Sequence, residues 1–169
     1  MHELRPIPAE LCEKIAIERN KARKVLRTPG LTTQAEQEKF FLTYDRRLHH
    51  FYALWDDITE EYFGVCGLCN LEWENSRAEI SLLIFSEYTH MGYGRDSLKI
   101  LLKEGFGNMS LKSIYGECYT CNPACGFWKN MIAELKENSY KIYTTEIPYT
   151  KRWDGEYYGS IFFVITEDV

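Results

Sequence analysis

The chain has 169 residues, of which 45% are hydrophobic and 15% aromatic, and its formal net charge is -5. These values predict one globular domain with a real core and exclude a disordered chain, because disordered sequences are poor in aromatic residues. The negative charge makes nucleic acid an unlikely partner, since such proteins hold it largely through basic surfaces. The absence of a signal pattern and of any apolar run near the roughly 20 residues of a membrane span predicts a cytoplasmic protein with no membrane partner.

The first half of the chain predicts a short strand, two helices and a three-stranded antiparallel meander. Residues 3–7 form the strand, and helical composition extends from residue 9 to about 26, where Thr28, Pro29 and Gly30 end it. A second helix is predicted over residues 34–49, with Thr33 as its N-cap. The apolar period then becomes typical of strands. The predicted meander comprises residues 51–55, 62–73 and 78–85.

The second half alternates helices and strands. A helix is predicted over residues 93–107, a strand over 112–120, and another helix over 124–138, with Pro123 in its first turn. Strands over residues 140–148 and 157–166, joined by a loop over 149–156, close the chain. This order predicts an α/β (α+β) domain built on a single mixed layer of sheet, with helices on its faces.

A turn with two glycines, residues 88–96, lies between the strand over 78–85 and the helix that follows. Glycines allow close approach of the backbone, and the first N–H groups of a helix bind anions, so this turn could hold a phosphate. Many strand-to-helix turns carry such glycines for packing alone, and that alternative stays open from the turn by itself.

Six cysteines include two C-x-x-C pairs, Cys66 with Cys69 and Cys118 with Cys121. Paired motifs of this kind are typical of structural zinc sites. Each pair here falls in a strand-like run, where residues three apart point to opposite faces. We therefore expect no metal, and free thiols in a reducing cytosol.

Four short motifs occur in an order that one known family shares. They are the run 89–94 with its two glycines, Ala-Glu-Ile-Ser at 78–81, Asn122 three residues before Cys125, and residues 153–162 near the end. Over nearly its whole length the chain resembles the GNAT superfamily, in the branch of ribosomal-protein and amino-sugar N-acetyltransferases. The family signature, Q/R-x-x-G-x-G/A, is matched at Gly92 and Gly94, but Thr89 replaces its first residue. The resemblance implies a mostly antiparallel central sheet of about six to seven strands, with helices on both faces.

The resemblance also implies acetyl-CoA as cosubstrate. In this family the fourth and fifth strands splay apart, the pantetheine arm lies between them, and the pyrophosphate lies in the glycine turn. The implied CoA-binding residues are Leu82, Leu83 and Ile84 in the strand, Thr89, His90, Met91, Gly92, Tyr93, Gly94 and Arg95 in the turn, and Asn122 and Lys129 beyond it. Asn122 could instead cap the helix after Pro123, and Arg95 could be an exposed, solvated side chain.

Three residues are candidates for catalysis. Glu79 enters an otherwise apolar strand beside the expected cleft, where partial burial would raise its pKa and suit it to act as general base. Its alternative is a rim carboxylate paired with Arg77 or a lysine. The Tyr that many relatives use as general acid is replaced by Lys129. Cys125 stands at the branch's Ser and could protonate a thiolate or simply fill space, and Tyr119 is the remaining candidate.

The function predicted is therefore transfer of an acetyl group from acetyl-CoA to an amine acceptor, either a small molecule such as an amino sugar or a protein N-terminus. The resemblance implies acceptor walls from the first two helices and the last hairpin. Their arginines and aromatic residues would suit a phosphorylated or nucleotide-linked amino sugar, a peptide or protein N-terminus, or a modified base. Alternatives are a degenerate CoA-binding or interaction module, and a zinc-stabilised domain. Both a monomer and a homodimer stay open.

Overall fold

A computed structural model describes residues 1–138 and 140–167, which form one seven-stranded sheet in the order β1-β2-β3-β4-β5-β7-β6. The strands are β1 (His2–Arg5), β2 (His50–Asp56), β3 (Glu61–Glu72), β4 (Arg77–Ile84), β5 (Ser113–Tyr119), β6 (Tyr140–Trp153) and β7 (Glu156–Glu167). The helices are α1 (Leu11–Lys21), α2 (Gln34–Thr43), α3 (Tyr93–Lys103) and α4 (Cys125–Glu137). Short 3-10 turns cover Arg23–Val25, Trp73–Asn75 and Ser86–Tyr88, and a π-helical turn covers Glu104–Asn108.

All strand pairs in the sheet are antiparallel except β4 with β5, which are parallel over three residue pairs. The crossover between these two strands runs through α3, as parallel strands require. The predicted meander, β2-β3-β4, is confirmed. So is the predicted fold class, a mostly antiparallel mixed sheet with helices.

Each face of the sheet is covered by its own pair of helices. On one face, α3 and α4 bury a large cluster that includes Leu68, Leu98, Ile114 and Phe163. On the other face, α1 packs Leu11 and Ile15 against Ala53 and Phe85, with α2 adding Phe41 at the margin. Burial of these side chains supplies most of the driving force for folding. It also leaves the two ends of the sheet accessible for a site.

The helix predicted over residues 34–49 is shorter than expected, because α2 ends at Thr43 and Tyr44 is extended. Asp45 explains the early end. Its carboxylate accepts a hydrogen bond from the backbone N–H of Arg47 at 2.9 Å, and its carbonyl accepts one from Leu48, which builds a separate turn. Asp side chains favour such local bonds over helix continuation.

The prediction of a loop over residues 149–156 is wrong. Strands β6 and β7 continue to a two-residue turn, Asp154 and Gly155, whose φ angles are 49° and 82°. An Asp-Gly pair with both φ positive is the preferred two-residue hairpin turn, because it matches the twist of the flanking strands. The closing hairpin is therefore an extended ribbon along one edge of the sheet.

Thr33 is confirmed as the N-cap of α2. Its Oγ1 accepts from the N–H of Glu36 at 3.3 Å, and the Glu36 carboxylate accepts from the N–H of Thr33 at 2.8 Å. We expect Thr33→Ala to lower the free energy of unfolding by about 1 kcal/mol, because it leaves an N–H at the helix start unpaired. Urea unfolding checks this. Thr33→Ser, which keeps the acceptor oxygen, is the control and should stay close to wild type.

Candidate active site

A gap opens in the sheet between β4 and β5. The two strands pair only where Arg77–Glu79 meet Ser113–Tyr115; farther on, β5 pairs with β7 and β4 with β3. The β5-facing edge of β4 from Ile80 to Ile84 has no strand partner among residues 1–138 and 140–167. Its backbone N–H and C=O groups can therefore bond an extended ligand. Leu82, Leu83 and Ile84 lie on this edge, where the family resemblance predicts the pantetheine arm.

Helix α3 begins beside the open end of this gap, after a tight turn. Gly92 has a φ of 89° and no atom within 4 Å of the position that a Cβ would take, so its role is conformational. The first hydrogen bonds of the helix run from the N–H groups of Arg95 and Asp96 to the Gly92 carbonyl. The earlier N–H groups at the helix start have no intrahelical acceptor and can bind an anion. This geometry fits a phosphate group.

The side chain of Tyr93 fastens the glycine turn to the sheet. Its hydroxyl donates to Asp56 at 2.9 Å, and its ring packs 4.5 Å from Phe63 and 4.9 Å from His2 between centroids. The hydrogen bond to the Asp56 carboxylate raises the pKa of Tyr93. Tyr93 is therefore a support for the turn, and its side chain faces the sheet.

Arg95 binds a neighbouring helix. Its Nε and Nη2 lie 3.0 and 2.8 Å from Glu134 on α4, and Lys99 also contacts that carboxylate at 2.7 Å. The hydrogen bonds from Lys99 and Arg95 lower the pKa of Glu134. The ion cluster joins α3 to α4. Gly94 also packs closely against α4, because a Cβ added to Gly94 would lie 3.2 Å from the ring of Phe127.

The side chains of the other predicted cofactor residues do not converge on one point. Thr89 Oγ1 donates to the Ser86 carbonyl at 2.9 Å, while His90 and Met91 are exposed. Asn122 Oδ1 accepts from the N–H of Ala124 at 2.8 Å, which forms an Asx turn ahead of α4, whose N-cap is Ala124. Lys129 is exposed, one turn beyond Cys125 on the same helix.

Glu79 lies where β4 and β5 part, and an arginine covers it. Arg27 Nη2 and Nη1 lie 2.6 and 3.0 Å from the two oxygens of the Glu79 carboxylate, and Asn70 Nδ2 donates to it at 2.7 Å. The carboxylate raises the pKa of Arg27. Cys69 is the residue of β3 that pairs with Glu79. Burial of its thiol, and to a smaller extent the negative charge of Glu79, raise the pKa of Cys69 to about 12. Glu79 is thus ion-paired, but with Arg27 and not with Arg77.

Two further side chains of β5 reach the same arginine. Glu117 Oε2 lies 3.6 Å from Arg27 Nη2, and Glu117 Oε1 accepts from the Ser160 hydroxyl at 2.6 Å. Tyr119 lies close enough to Arg27 to contribute, after Glu79, to the raised pKa of its guanidinium. Alternate residues of a strand share a face, so Glu117 and Tyr119 lie together beside Glu79. The structure therefore brings two of the predicted catalytic residues, Glu79 and Tyr119, around one cation.

The segment that carries Arg27 is held in place by a buried lysine. Lys151 has a relative exposure of 6%, and its Nζ donates to the Leu26 carbonyl. The same ammonium lies 5.4 Å from the centroid of the Tyr119 ring. Sequence reasoning missed Lys151, and no local pattern signals the burial of a lysine on an edge strand. Its contact fixes the backbone beside Arg27.

Cys125 lies at the start of α4 next to a second thiol. All six cysteines are free, and Cys125 lies close enough to Cys118 to influence the pKa of its thiol. Burial, and then Cys125, raise the pKa of Cys118 to about 12.

In the described residues, no group of three or more His, Cys, Asp or Glu side chains could hold a metal ion. No helix of the described chain is long and apolar enough to cross a membrane.

Known proteins share this architecture. The spermidine N-acetyltransferase SpeG from Vibrio cholerae, in complex with CoA and spermine, superposes with a TM-score of 0.80 at 15% identity, over 98% of this chain and 95% of that one. The ribosomal α-N-protein acetyltransferase RimL, in complex with coenzyme A, gives 0.78 at 18%, over 99% and 94%. Likeness at such identity shows the fold. No curated protein matches the sequence.

A family model, described as the acetyltransferase (GNAT) domain, matches residues 3–126. That range begins within β1 and contains β2 to β5, the glycine turn and the first residues of α4. It thus covers most of the chain and the whole gap between β4 and β5. The chain belongs to the GNAT superfamily of acetyl-CoA-dependent N-acetyltransferases.

Proposed function

We propose that the chain transfers the acetyl group of acetyl-CoA to a primary amine of a small molecule or of a protein N-terminus, with Glu79 as general base. The observation that carries the proposal is the placing of Glu79 at the closed end of the gap between β4 and β5. The open end of that gap faces the start of α3. One cleft therefore combines an anion-binding turn, a free strand edge and a carboxylate.

The backbone of the cleft fits the cosubstrate. Free N–H groups around Gly92, Tyr93 and Gly94 would bind its pyrophosphate, with the positive end of the α3 dipole behind them. The open edge of β4 at Leu82 and Ile84 would pair with the amides of its pantetheine arm. Acetyl-CoA supplies a thioester, whose carbonyl carbon is the electrophile of the reaction.

Glu79 and two other side chains would carry out the proton transfers of the reaction. Glu79 takes a proton from the ammonium group of the acceptor, so that the nitrogen lone pair becomes available. This requires Arg27 to release the carboxylate. Either Tyr119, through its hydroxyl, or Cys125, through its thiol, gives a proton to the departing sulfur. Structures of SpeG with CoA and spermine and of RimL with CoA support an amine acceptor and this cosubstrate.

Binding of acetyl-CoA to purified protein tests the proposal, and thermal unfolding with and without the ligand gives the readout. A bound ligand raises the unfolding midpoint, because it binds only the folded state. We expect Gly92→Ala to weaken binding by about tenfold, since its φ of 89° strains any residue with a Cβ and disturbs the turn. Gly107→Ala, at an open site with no positive φ, is the matched control. An unchanged midpoint for wild type at saturating acetyl-CoA would contradict the proposal.

The second candidate function is a CoA-binding module without catalysis. It is favoured by one observation: the Glu79 carboxylate already accepts three hydrogen bonds, two from Arg27 and one from Asn70. While these bonds hold, the carboxylate oxygens are not available to an acceptor ammonium. Release of free CoA thiol in the presence of a panel of amines separates the two candidates, because the module would bind acetyl-CoA without turnover.

We also propose a cytoplasmic location. All six cysteines are unpaired, and Cys66 and Cys118 are buried. Proteins of oxidising compartments tend to form disulfides, whereas free thiols are usual where glutathione keeps them reduced.

A further inference from the structure

The guanidinium of Arg27 lies where two carboxylates of neighbouring strands converge. It is 2.6 Å from Glu79 and 3.6 Å from Glu117. The acids are set into the sheet, with side-chain exposures of 15% and 18%, whereas the arginine side chain is 56% exposed. The acids are thus fixed by the sheet, and the cation is supplied by the connection between α1 and α2.

Both acids are held in orientation by neutral donors. Asn70 bonds one oxygen of Glu79, and Ser160 bonds one oxygen of Glu117. Two carboxylates this close repel each other unless a cation lies between them. The pair therefore forms a site that requires a positive charge, at the point where the cleft delivers the acetyl group.

Arg27 can leave this site without a change of fold. Its backbone neighbour, Leu26, is bound through its carbonyl to the buried Lys151. Only the long, half-exposed side chain has to rotate, and exposed side chains change rotamer within nanoseconds. Departure of the guanidinium frees both carboxylates toward the cleft.

We infer that Arg27 occupies the place of the acceptor's ammonium group, and that Glu117 is a second acceptor-binding carboxylate beside Glu79. The inference rests on the proposed acetyl transfer and names the acceptor class. When Glu79 takes the proton of the reacting amine, Glu117 remains as an anion that faces the acceptor. The acceptor is therefore a small aliphatic diamine, whose second ammonium is attracted by Glu117.

The same charges argue against a phosphorylated amino sugar. At the carboxylate pair itself the one nearby guanidinium, that of Arg27, is already bound to Glu79 at 2.6 Å. An anionic group near the reacting amine would meet Glu117. Acceptors with such a group are expected to bind poorly, since like charges in contact oppose binding.

Calorimetric titration with two probes of equal chain length tests the inference. The probes are 1,4-diaminobutane and 4-aminobutanoate, in which a carboxylate replaces the second ammonium. We expect wild type to bind the diamine about tenfold or more tightly than the amino acid. Glu117→Gln should remove most of this preference. Arg27→Gln should tighten diamine binding severalfold, because it removes the internal competitor.

Arg5→Gln is the matched control, because Arg5 is also a half-exposed arginine paired with two acids, Glu3 and Asp57, on a distant strand. It should bind both probes as wild type does. In steady-state assays, Glu117→Gln should raise KM for the diamine with little change in kcat. Equal affinity of wild type for the two probes, or weaker diamine binding by Arg27→Gln, would overturn the inference.

Titration in the absence of acetyl-CoA keeps this test separate from the proposed function. If acetyl-CoA shifts the unfolding midpoint and amines are acetylated, but the probes bind equally, the acceptor class is wrong and the transferase proposal stands. If acetyl-CoA does not bind while the diamine binds as expected, the cation site stands and the transferase proposal fails.

Discussion

Glu79→Gln is expected to lower kcat for amine acetylation by about 10²- to 10⁴-fold, the usual contribution of a positioned general base. The amide keeps the shape of the carboxylate but cannot take a proton from the acceptor. Acetyl-CoA affinity should stay near wild type, because the predicted cofactor contacts lie farther along β4, at Leu82 to Ile84, and at the start of α3. Steady-state rates with a saturating amine, together with a thermal-shift titration of acetyl-CoA, give the two readouts.

Glu72→Gln is a matched control for this experiment. Glu72 belongs to β3 and lies 3.5 Å from Arg77, away from Arg27, and its side chain is 40% exposed. We expect its substitution to leave kcat unchanged. Retention of activity by Glu79→Gln would assign the base to another group, with Glu117 as the nearest carboxylate.

Phe163→Ala is expected to cost about 3–5 kcal/mol of stability, the usual range for deletion of a buried aromatic ring. Phe163 is 1% exposed, and its ring lies 4.9 Å from Trp128 between centroids. The ring also covers Gly116 on β5, where a Cβ would lie 2.5 Å from Phe163 Cζ. Loss of the ring leaves a cavity between the sheet and α4. Urea unfolding measures the loss in free energy of unfolding, and the m-value should equal that of wild type.

The contact between Gly116 and Phe163 gives a second variant that tests the same packing. Gly116→Ala alone should cost about 1–3 kcal/mol through overpacking. Combined with Phe163→Leu, it should cost less than the sum of the two single changes, because the smaller side chain makes room for the methyl group. Phe162→Ala is the control, since Phe162 lies on the other face of β7 and is only half-buried. An equal loss in Phe162→Ala would show that the ring of Phe163 is not the source of the effect.

The sequence allows good prediction of elements whose signals are local. The meander strands were placed within two residues, and Thr33 was identified as a cap from its neighbours alone. The glycine turn and the strand before it are likewise local signals, and both elements are present at the proposed cofactor cleft. The hairpin turn at Asp154 was missed, although the Asp-Gly pair is itself a strong local signal of a two-residue turn.

Contacts between distant residues could not be predicted. Glu79 was expected to pair with Arg77 or a lysine if it was not a base, but its partner is Arg27, 52 residues earlier in the chain. Arg77 instead lies 4.6 Å from the ring centroid of Tyr115. The arginine that pairs with Glu79 is decided by how the connection after α1 folds over the sheet. The local sequence around Glu79 does not indicate that path.

The three-pair junction between β4 and β5 also divides the sheet along the chain. Every hydrogen-bonded pair among β1, β2, β3 and β4 lies within residues 2–84, and those of β5, β6 and β7 lie within residues 113–167. During synthesis, the first four strands can therefore complete their pairing before the last three leave the ribosome. The shared core still needs Ile114, Phe163 and Ile165 from the second block. We expect β2, β3 and β4 to pair quickly, because short turns connect them, and β1 to join later, since His2 pairs with the distant Asp56. The early block becomes stable only when the later strands arrive.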